Sequence, residues 1–355
     1  MKILIDFGHP AHIHYFKNFI KVMKAKGHEF TFVARDKEVL HQLLDNLEMK
    51  YTSRGKGRKS LLGKVFYLFT ADYIIYKVAR KFKPDIFLSF SSTYAAHVSR
   101  LMGKPHIVLD DTEHAKFELM MYPPFSDVIL NPKPFWKHFS HKQIFFDGYM
   151  ELCHLHPNYF TPDPSIIKSY GIDASERFFI VRFVSWNASH DIGQSGLSIE
   201  IKKSIISQLE SSGRVLISSE GPLPESLEKY RIKINPAHLH QFLFYASLYI
   251  GEGATTASEC VILGTPTIYV NSLDAGTISE QSQKYGLISL RNANGINDII
   301  AKLLKQNTKD TALKNRYSLL EEKIDVTAFM VWFIENYPES EITMRKNPDY
   351  QYNFK

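Results

Sequence analysis

The order of apolar and polar segments over residues 2–34 limits the fold of this chain more than any other feature. "KILIDF" reads as a short buried strand, "GHPAH" as a turn, "YFKNFIKVMKAKGH" as a helix and "EFTFVAR" as a second strand. In the helix, Phe16, Phe19, Ile20 and Met23 fall on one face, and Gly27 marks a stop. Strand, helix and strand within about 35 residues make a βαβ unit, and such units imply a parallel sheet.

The alternation continues. "KEVLHQLLDNL" and the aromatic-rich "LLGKVFYLFTADYIIYKVARKFK" read as helices. "DIFLSF", "HIVLDD" and "VILNP" read as strands or strand ends, with helical "TYAAHVSRLMGK" between the first two. "HPNYFTPDPS" holds three prolines in ten residues and reads as a linker. Beyond it a second series begins: strand "RFFIVRFVSW", helix "IEIKKSIISQLESSG", strand "RVLISS", then "HQFLFYASLYI" as a helix followed by a strand. "TTASECVILG" is a helix stopped by Gly264, "TPTIYV" a strand, and "INDIIAKLLKQN", "ALKNRYSLLEEKI" and "VTAFMVWFIENYP" are late helices. The expected organisation is an α/β chain with two Rossmann-like parallel-sheet domains, residues 1–155 and 166–325. A last helix over 326–345 is expected to cross back to the first domain.

Bulk numbers narrow the class. A chain of 355 residues has room for two domains, and 44% hydrophobic with 23% charged residues is ordinary for a globular protein. A net charge of +6 suits anionic ligands but falls short of a dedicated nucleic-acid binder, so no nucleic-acid partner is expected. The two cysteines, Cys153 and Cys260, lack metal-type spacing, which fits a reducing cytoplasm. "MKILIDFGHP" does not read as a signal peptide. No apolar run approaches the roughly 20 residues that span a bilayer. The 19 tyrosines point to a large aromatic core.

In parallel α/β sheets ligands sit beyond the carboxyl ends of the strands, so the loops after strands carry the argument. The first is Gly8-His-Pro-Ala-His-Ile-His14. A helix start favours anions, and a histidine held there tends toward its neutral form, which suits His12 to take a proton from a hydroxyl. Structural hydrogen bonding is the alternative for each of His9, His12 and His14. Their spacing also suits a metal, although none is expected.

The second loop opens Gly251-Glu-Gly-Ala-Thr-Thr-Ala-Ser-Glu259. Gly251 and Gly253 permit close backbone approach, Thr255 and Thr256 supply hydroxyls at a helix start, and Glu259 lies one turn on. Together they suit a diphosphate and a ribose. A capped helix with a solvated acid is the plain alternative. Arg182, Ser185, Asn187 and His190 follow the first strand of the second half. Ser218, Ser219 and Glu220 follow the next. Arg182 can fork onto a phosphate or serve in an ion pair. "LDDTEHA" crowds Asp110, Asp111, Glu113 and His114. Adjacent buried acids raise each other's pKa, which suits a general base, or they cap the following helix. The basic run Arg54-Gly-Lys-Gly-Arg-Lys59 before the aromatic helix is a solvated loop or a contact for anionic lipid.

"GEGATTASECVILGTPTIYV" resembles the nucleotide-sugar motif of GT-B glycosyltransferases, closest to that of the N-acetylglucosaminyltransferase of peptidoglycan synthesis. The matching residues are Gly253, Ala254, Thr256, Glu259, Gly264 and Pro266, and the resemblance implies that Glu259 holds the ribose of UDP. The first loop is similar to that group's Gly-x-x-Gly-His turn at Gly8 and His12, with Pro10 and Ala11 in place of glycines. Gln281 and Gln283 fall where the transferases contact the donor sugar. "FKPDIFLSFSSTYAAHVSRLMGKPHIVLDDTEHA", "PFSDVILNP" and "HLHQFLFYASLYIGEGATTASE" resemble an uncharacterised archaeal and bacterial family. That family is related to GT-B transferases and nonhydrolysing UDP-GlcNAc 2-epimerases.

The resemblance implies two domains facing a central cleft and a metal-independent glycosyltransferase. The donor is a nucleotide-sugar, most simply a UDP-sugar, bound as substrate with no further cofactor. The acceptor is a glycan or lipid-linked molecule in surface polysaccharide synthesis. His12 is the first choice for deprotonating it, with Asp111 second. The setting is cytoplasmic, with peripheral contact at the inner membrane face. A nucleotide-sugar epimerase or hydrolase is the alternative, and a non-catalytic nucleotide-sugar-binding protein a second. The epimerases carry an aspartate where this chain reads Ser89-Phe-Ser-Ser-Thr93, which weighs against epimerisation.

Overall fold

A computed structural model describes residues 1–37, 39–58, 60–183, 197–219 and 221–355, apart from the side chain of residue 61. The chain divides into two compact units, Met1–His154 with Lys323–Lys355, and Leu155–Glu322.

The first unit is built on a seven-stranded sheet. Its strands are β1 (Lys2–Phe7), β2 (Glu29–Ala34), β3 (Tyr51–Ser53), β4 (Ile86–Phe90), β5 (His106–Leu109), β6 (Val128–Pro132) and β7 (Gln143–Phe146). The order is β3-β2-β1-β4-β5-β6-β7, and the pairs are parallel. The order reverses between β1 and β4, the place where such sheets bind ligands. Ile3, Leu4, Ile5, Phe87 and Leu88 are buried, as expected of strands covered on both faces.

The helix Pro10–Ala25 starts on a proline, which needs no N–H there, and buries Ile13, Phe16, Phe19, Ile20 and Met23. Each buried phenylalanine contributes roughly 1.5–3 kcal/mol of hydrophobic transfer. The helix Leu61–Phe82 buries Tyr67, Ala71, Ile75 and Ala79, four residues apart, and packs on the helix Thr93–Met102. The helix Val326–Glu335 belongs to the first unit and packs on Pro10–Ala25. Lys323 Nζ meets Asp147 Oδ1 at 2.8 Å, and Thr327 Oγ1 donates to the Cys153 carbonyl at 2.9 Å. Gly148 lets this segment close in, because a Cβ there would lie 2.5 Å from Val326 Cγ2.

The second unit holds β8 (Phe178–Phe183), β9 (Arg214–Ser219), β10 (Leu248–Gly251), β11 (Thr267–Val270) and β12 (Ile288–Leu290), all parallel, in the order β12-β11-β10-β8-β9. The order reverses between β8 and β10. The core joins Phe179, Val181, Ile205, Leu209, Ile217, Ile250, Ile268 and Ile300. The proline-rich stretch read as a linker contains a short helix, Pro164–Lys168, capped by Asp163. The backbone of Asp163 donates to Gln241 Oε1 at 2.8 Å, which fastens this stretch to the second unit. Sequence reading passed over β3, β7 and β12. All three are short sheet edges whose three or four residues carry too little apolar pattern to register.

Candidate functional site

At the reversal in the first unit, β1 ends at Phe7 and the chain turns through Gly8 and His9. His9 caps the helix Pro10–Ala25, its Nδ1 accepting from the Ala11 N–H at 3.3 Å. The Gly8 N–H donates to His12 Nδ1 at 3.3 Å. A Cβ on Gly8 would stand 3.6 Å from Arg54 Nη2 and His12, an ordinary contact, so packing does not demand this glycine. The His12 ring lies 4.7 Å from that of Phe90, at the end of β4. Burial pushes His12 well below the usual histidine pKa, helped by His9, Lys37 and Arg54. The ring is therefore neutral near pH 7. Because Nδ1 accepts, the proton resides on Nε2. This corrects the role expected for His12: in this arrangement it donates from Nε2, and it becomes a base only by releasing Gly8. The three loop histidines do not gather at one point either. His9 and His12 lie 5.9 Å apart, while the His14 ring lies 5.2 Å from His154.

Arg54, read in sequence as part of a basic loop, is buried. Its Nε and Nη2 fork onto Asp6 at 2.8 and 3.2 Å, and Nη1 reaches the Tyr67 hydroxyl at 2.6 Å. Ser92 completes the cluster by donating to Asp6 Oδ2 at 2.5 Å while accepting from the Ala95 N–H. Ser91, beside it, sits at φ 49°, a left-handed conformation that is strained for a non-glycine residue.

On β5, next to β4, the strand end carries the acids. Asp110 is fully buried and accepts from the Tyr122 hydroxyl at 2.6 Å and the Thr112 N–H at 2.9 Å. Burial pushes it up to about 6 despite those bonds. Asp111 is half-buried and pushed up to about 7, by burial first and then by Asp110 and Glu113. The capping alternative fails here. The next helix is Glu118–Met121, and its cap residue is Phe117.

At the reversal in the second unit, Arg182 on β8 lies in register with Gly251 on β10 and Ser218 on β9. Its Nη1 donates to Ser218 Oγ at 3.0 Å. The helix Ala254–Leu263 has Gly253 as its cap residue, which offers no side chain, and stops at Gly264, φ 73°. Packing by itself accounts for a glycine at 251, since a Cβ would lie 2.1 Å from the Tyr249 hydroxyl. The expected shared face divides: Thr255 is exposed, whereas Thr256 and Glu259 are buried. Glu259 Oε1 meets His240 Nε2 at 2.9 Å. A solvated acid is thereby excluded, and one carboxylate oxygen already has a protein partner.

Gln281 is a correction. It is fully buried, and its Nε2 donates to Ser258 Oγ at 2.7 Å, locking the helix Gly276–Lys284 onto Ala254–Leu263. In this structure its side chain offers a sugar no exposed surface. Its neighbour Gln283 lines a polar cavity of about 210 Å³ with Asn271, Asp274, Ser279 and Arg291, beyond the end of β11. The Ser219 hydroxyl is used within its own turn, donating to the Gly221 carbonyl at 3.0 Å. Ser185, Asn187, His190 and Glu220 lie outside the described residues.

Sequence reading missed His240, Asp6 and the fastening of the Gly251–Gly253 turn. In that turn Glu252 accepts from the Leu197 N–H at 2.7 Å, and Asn271 Nδ2 donates to the Glu252 carbonyl at 2.9 Å. Only the burial of Asp6 inside an apolar strand offered a signal.

Known proteins resemble this chain in sequence or in structure. The uncharacterized protein MJ0665 of Methanocaldococcus jannaschii is 23% identical over 281 residues, covering 76% of this chain and 81% of that protein. The structure of S. aureus MnaA with UDP superposes with a TM-score of 0.66 at 13% identity, covering 98% of this chain and 97% of that one. The spinosyn rhamnosyltransferase SpnG, complexed with thymidine diphosphate, gives 0.60 at 15% identity, over 95% and 100%. At such identities the likeness establishes the fold, an α/β architecture with two parallel sheets shared by GT-B glycosyltransferases and UDP-GlcNAc 2-epimerases. Residues 1–337 match the family described as "Protein of unknown function (DUF354)", and the chain belongs to that family.

Proposed function

We propose that this protein is a metal-independent, nucleotide-sugar-dependent glycosyltransferase whose second unit grips a nucleoside diphosphate at the start of the helix Ala254–Leu263. One observation carries this reading: Arg182 lies in register with Gly251 at the strand-order reversal, beside a helix start whose cap residue is the glycine Gly253. A fixed guanidinium and a helix N-terminus both favour an anion. The diphosphates held by MnaA and SpnG support this class of ligand. Gly253 and Thr255 meet the phosphates first, Thr256 and Glu259 lie deeper, and Glu259, steadied by His240, takes the ribose. Ser219 is a secondary contact. The donor is a UDP-sugar.

The acceptor, a glycan or lipid-linked alcohol, belongs to the first unit. Its hydroxyl oxygen attacks the anomeric carbon and its proton passes to Asp111, while His12 donates a hydrogen bond from Nε2. The carbon–oxygen bond to the diphosphate breaks, and both electrons leave with the diphosphate. Arg182 and the helix start stabilise that charge, so no divalent ion is required. Gly8 admits the acceptor closely, because packing alone does not require a glycine there.

Calorimetry with UDP and thymidine diphosphate tests the first half. Binding of at least one, weakened roughly tenfold or more by Arg182→Ala, is expected. No heat from either would sink the reading. Asp110 and Asp111, raised to about 6 and about 7, also suit proton transfer at carbon, which favours an epimerase as the second reading. UDP release from UDP-GlcNAc that requires an added acceptor separates transfer from hydrolysis, and C2 inversion detected by NMR identifies epimerisation.

A further inference from the structure

We propose that the outer face of the helix Leu61–Phe82 docks on a membrane surface containing anionic phospholipid. The inference is independent of the nucleotide reading. This helix spends its inner face on the sheet, where Tyr67, Ala71, Ile75 and Ala79 are buried. Its outer face is apolar over the first three turns. Leu62 is 85% exposed, Val65 51%, Phe66 70%, Phe69 67% and Tyr73 63%. Their spacing of three, four and seven residues places them on one stripe. Five large apolar side chains facing water on one helix form a patch of the kind that marks an interaction surface.

Charge says what covers the patch. Exposed Lys56 and Arg58 precede the helix, and exposed Lys64, Lys77 and Arg80 lie along it. The single acid of the helix, Asp72, is taken up by His97 at 2.9 Å. An apolar stripe with aromatic residues, bounded by cations at both ends, matches a bilayer whose acyl boundary meets Phe66 and Phe69 while phosphate head groups meet the cations. Contact is on the surface only. No helix among the described residues is long and apolar enough to cross a membrane.

The test uses the full chain with vesicles of phosphatidylcholine alone or with roughly a third phosphatidylglycerol, the composition on which head-group attraction depends. The chain is expected to sediment with the anionic vesicles at low salt and to be released at high salt. The F66S/F69S double variant is expected to lose roughly tenfold or more of that partitioning, as burial-driven attachment requires. K77E/R80E is expected to lose the dependence on phosphatidylglycerol. Because these side chains are exposed, both variants are expected to keep the wild-type urea midpoint. Phe66→Trp provides a readout that does not depend on disruption, with an additional blue shift of emission on anionic vesicles and none on phosphatidylcholine. The proposal is overturned if wild-type protein stays in the supernatant, if F66S/F69S sediments like wild type, or if the tryptophan shift is absent. It is equally overturned if sedimentation velocity shows a wild-type dimer that F66S/F69S converts to monomer, since the face would then serve a second copy of the chain.

Discussion

His240 Nε2 and Glu259 Oε1 hold each other at 2.9 Å inside the second unit, and this pair decides how the acid can act. Removing the imidazole takes a hydrogen-bond partner from a buried carboxylate. His240→Ala is expected to cost about 1–3 kcal/mol of stability in urea unfolding and to weaken UDP binding as well. An unchanged midpoint would mean that the two side chains do not pair in solution. Asp111 makes a pH prediction. Its carboxyl is raised to about 7 in the fold, whereas in the unfolded chain it titrates near the ordinary aspartate value of about 4. The folded state therefore keeps a proton that the unfolded state has lost. Its contribution to stability is full below about pH 4 and is lost as pH rises through about 7. The wild-type midpoint minus that of Asp111→Asn is expected to fall over this window and to flatten above it. Transfer activity runs the other way, because the base must be ionised, and is expected to rise with pH through about 7. The pair Asp111 and Glu259 shows how legibility divides at this scale. Their residue types and positions after strands were readable. Their protonation and partners were not, because burial and neighbours set both.

At the scale of elements, the buried Asp6–Arg54 pair ties several together. It joins the end of β1 to the segment after β3, and through Ser92 and Tyr67 it also reaches the helices Thr93–Met102 and Leu61–Phe82. Arg54→Ala leaves Asp6 buried and unpaired, and is expected to cost about 3–5 kcal/mol in urea unfolding. A loss no larger than that of an exposed lysine variant would show that water reaches the pair. Gly251→Ala drives a methyl group into the Tyr249 ring and hydroxyl, and is expected to destabilise by about 1–3 kcal/mol even though residue 251 also borders the proposed ligand. Long periodic helices such as Pro10–Ala25 and Leu61–Phe82 were legible because one buried face repeats along them. The edge strands β3, β7 and β12 were not, because three or four residues hold too few alternations. Gln281 misled for a related reason: its place in the motif said nothing about which way the helix Gly276–Lys284 turns, and packing turned it onto Ser258.

For the whole molecule, the contribution of Lys323–Lys355 to the first unit makes a clear prediction. A chain ending at Glu322 exposes the apolar face that Phe329, Met330, Phe333 and Ile334 bury, and its first unit is expected to lose cooperative unfolding. The fragment 155–322 keeps its own five-stranded sheet and core, and is expected to give one cooperative urea transition by circular dichroism. A truncated chain as stable as the full one would contradict this assignment. Residue order alone makes the chain α/β, makes its sheets parallel and shows which loops follow strands. Those properties are local, written in the spacing of apolar residues and in turn chemistry. Folding in three dimensions brings Arg54 to Asp6 across 48 residues and His240 to Glu259 across 19. It also decided that His12 accepts from Gly8 and that an aromatic stripe on Leu61–Phe82 faces solvent. Side chains distant in sequence meet because sheet order and helix packing carry them together, and no periodicity within either segment encodes that meeting.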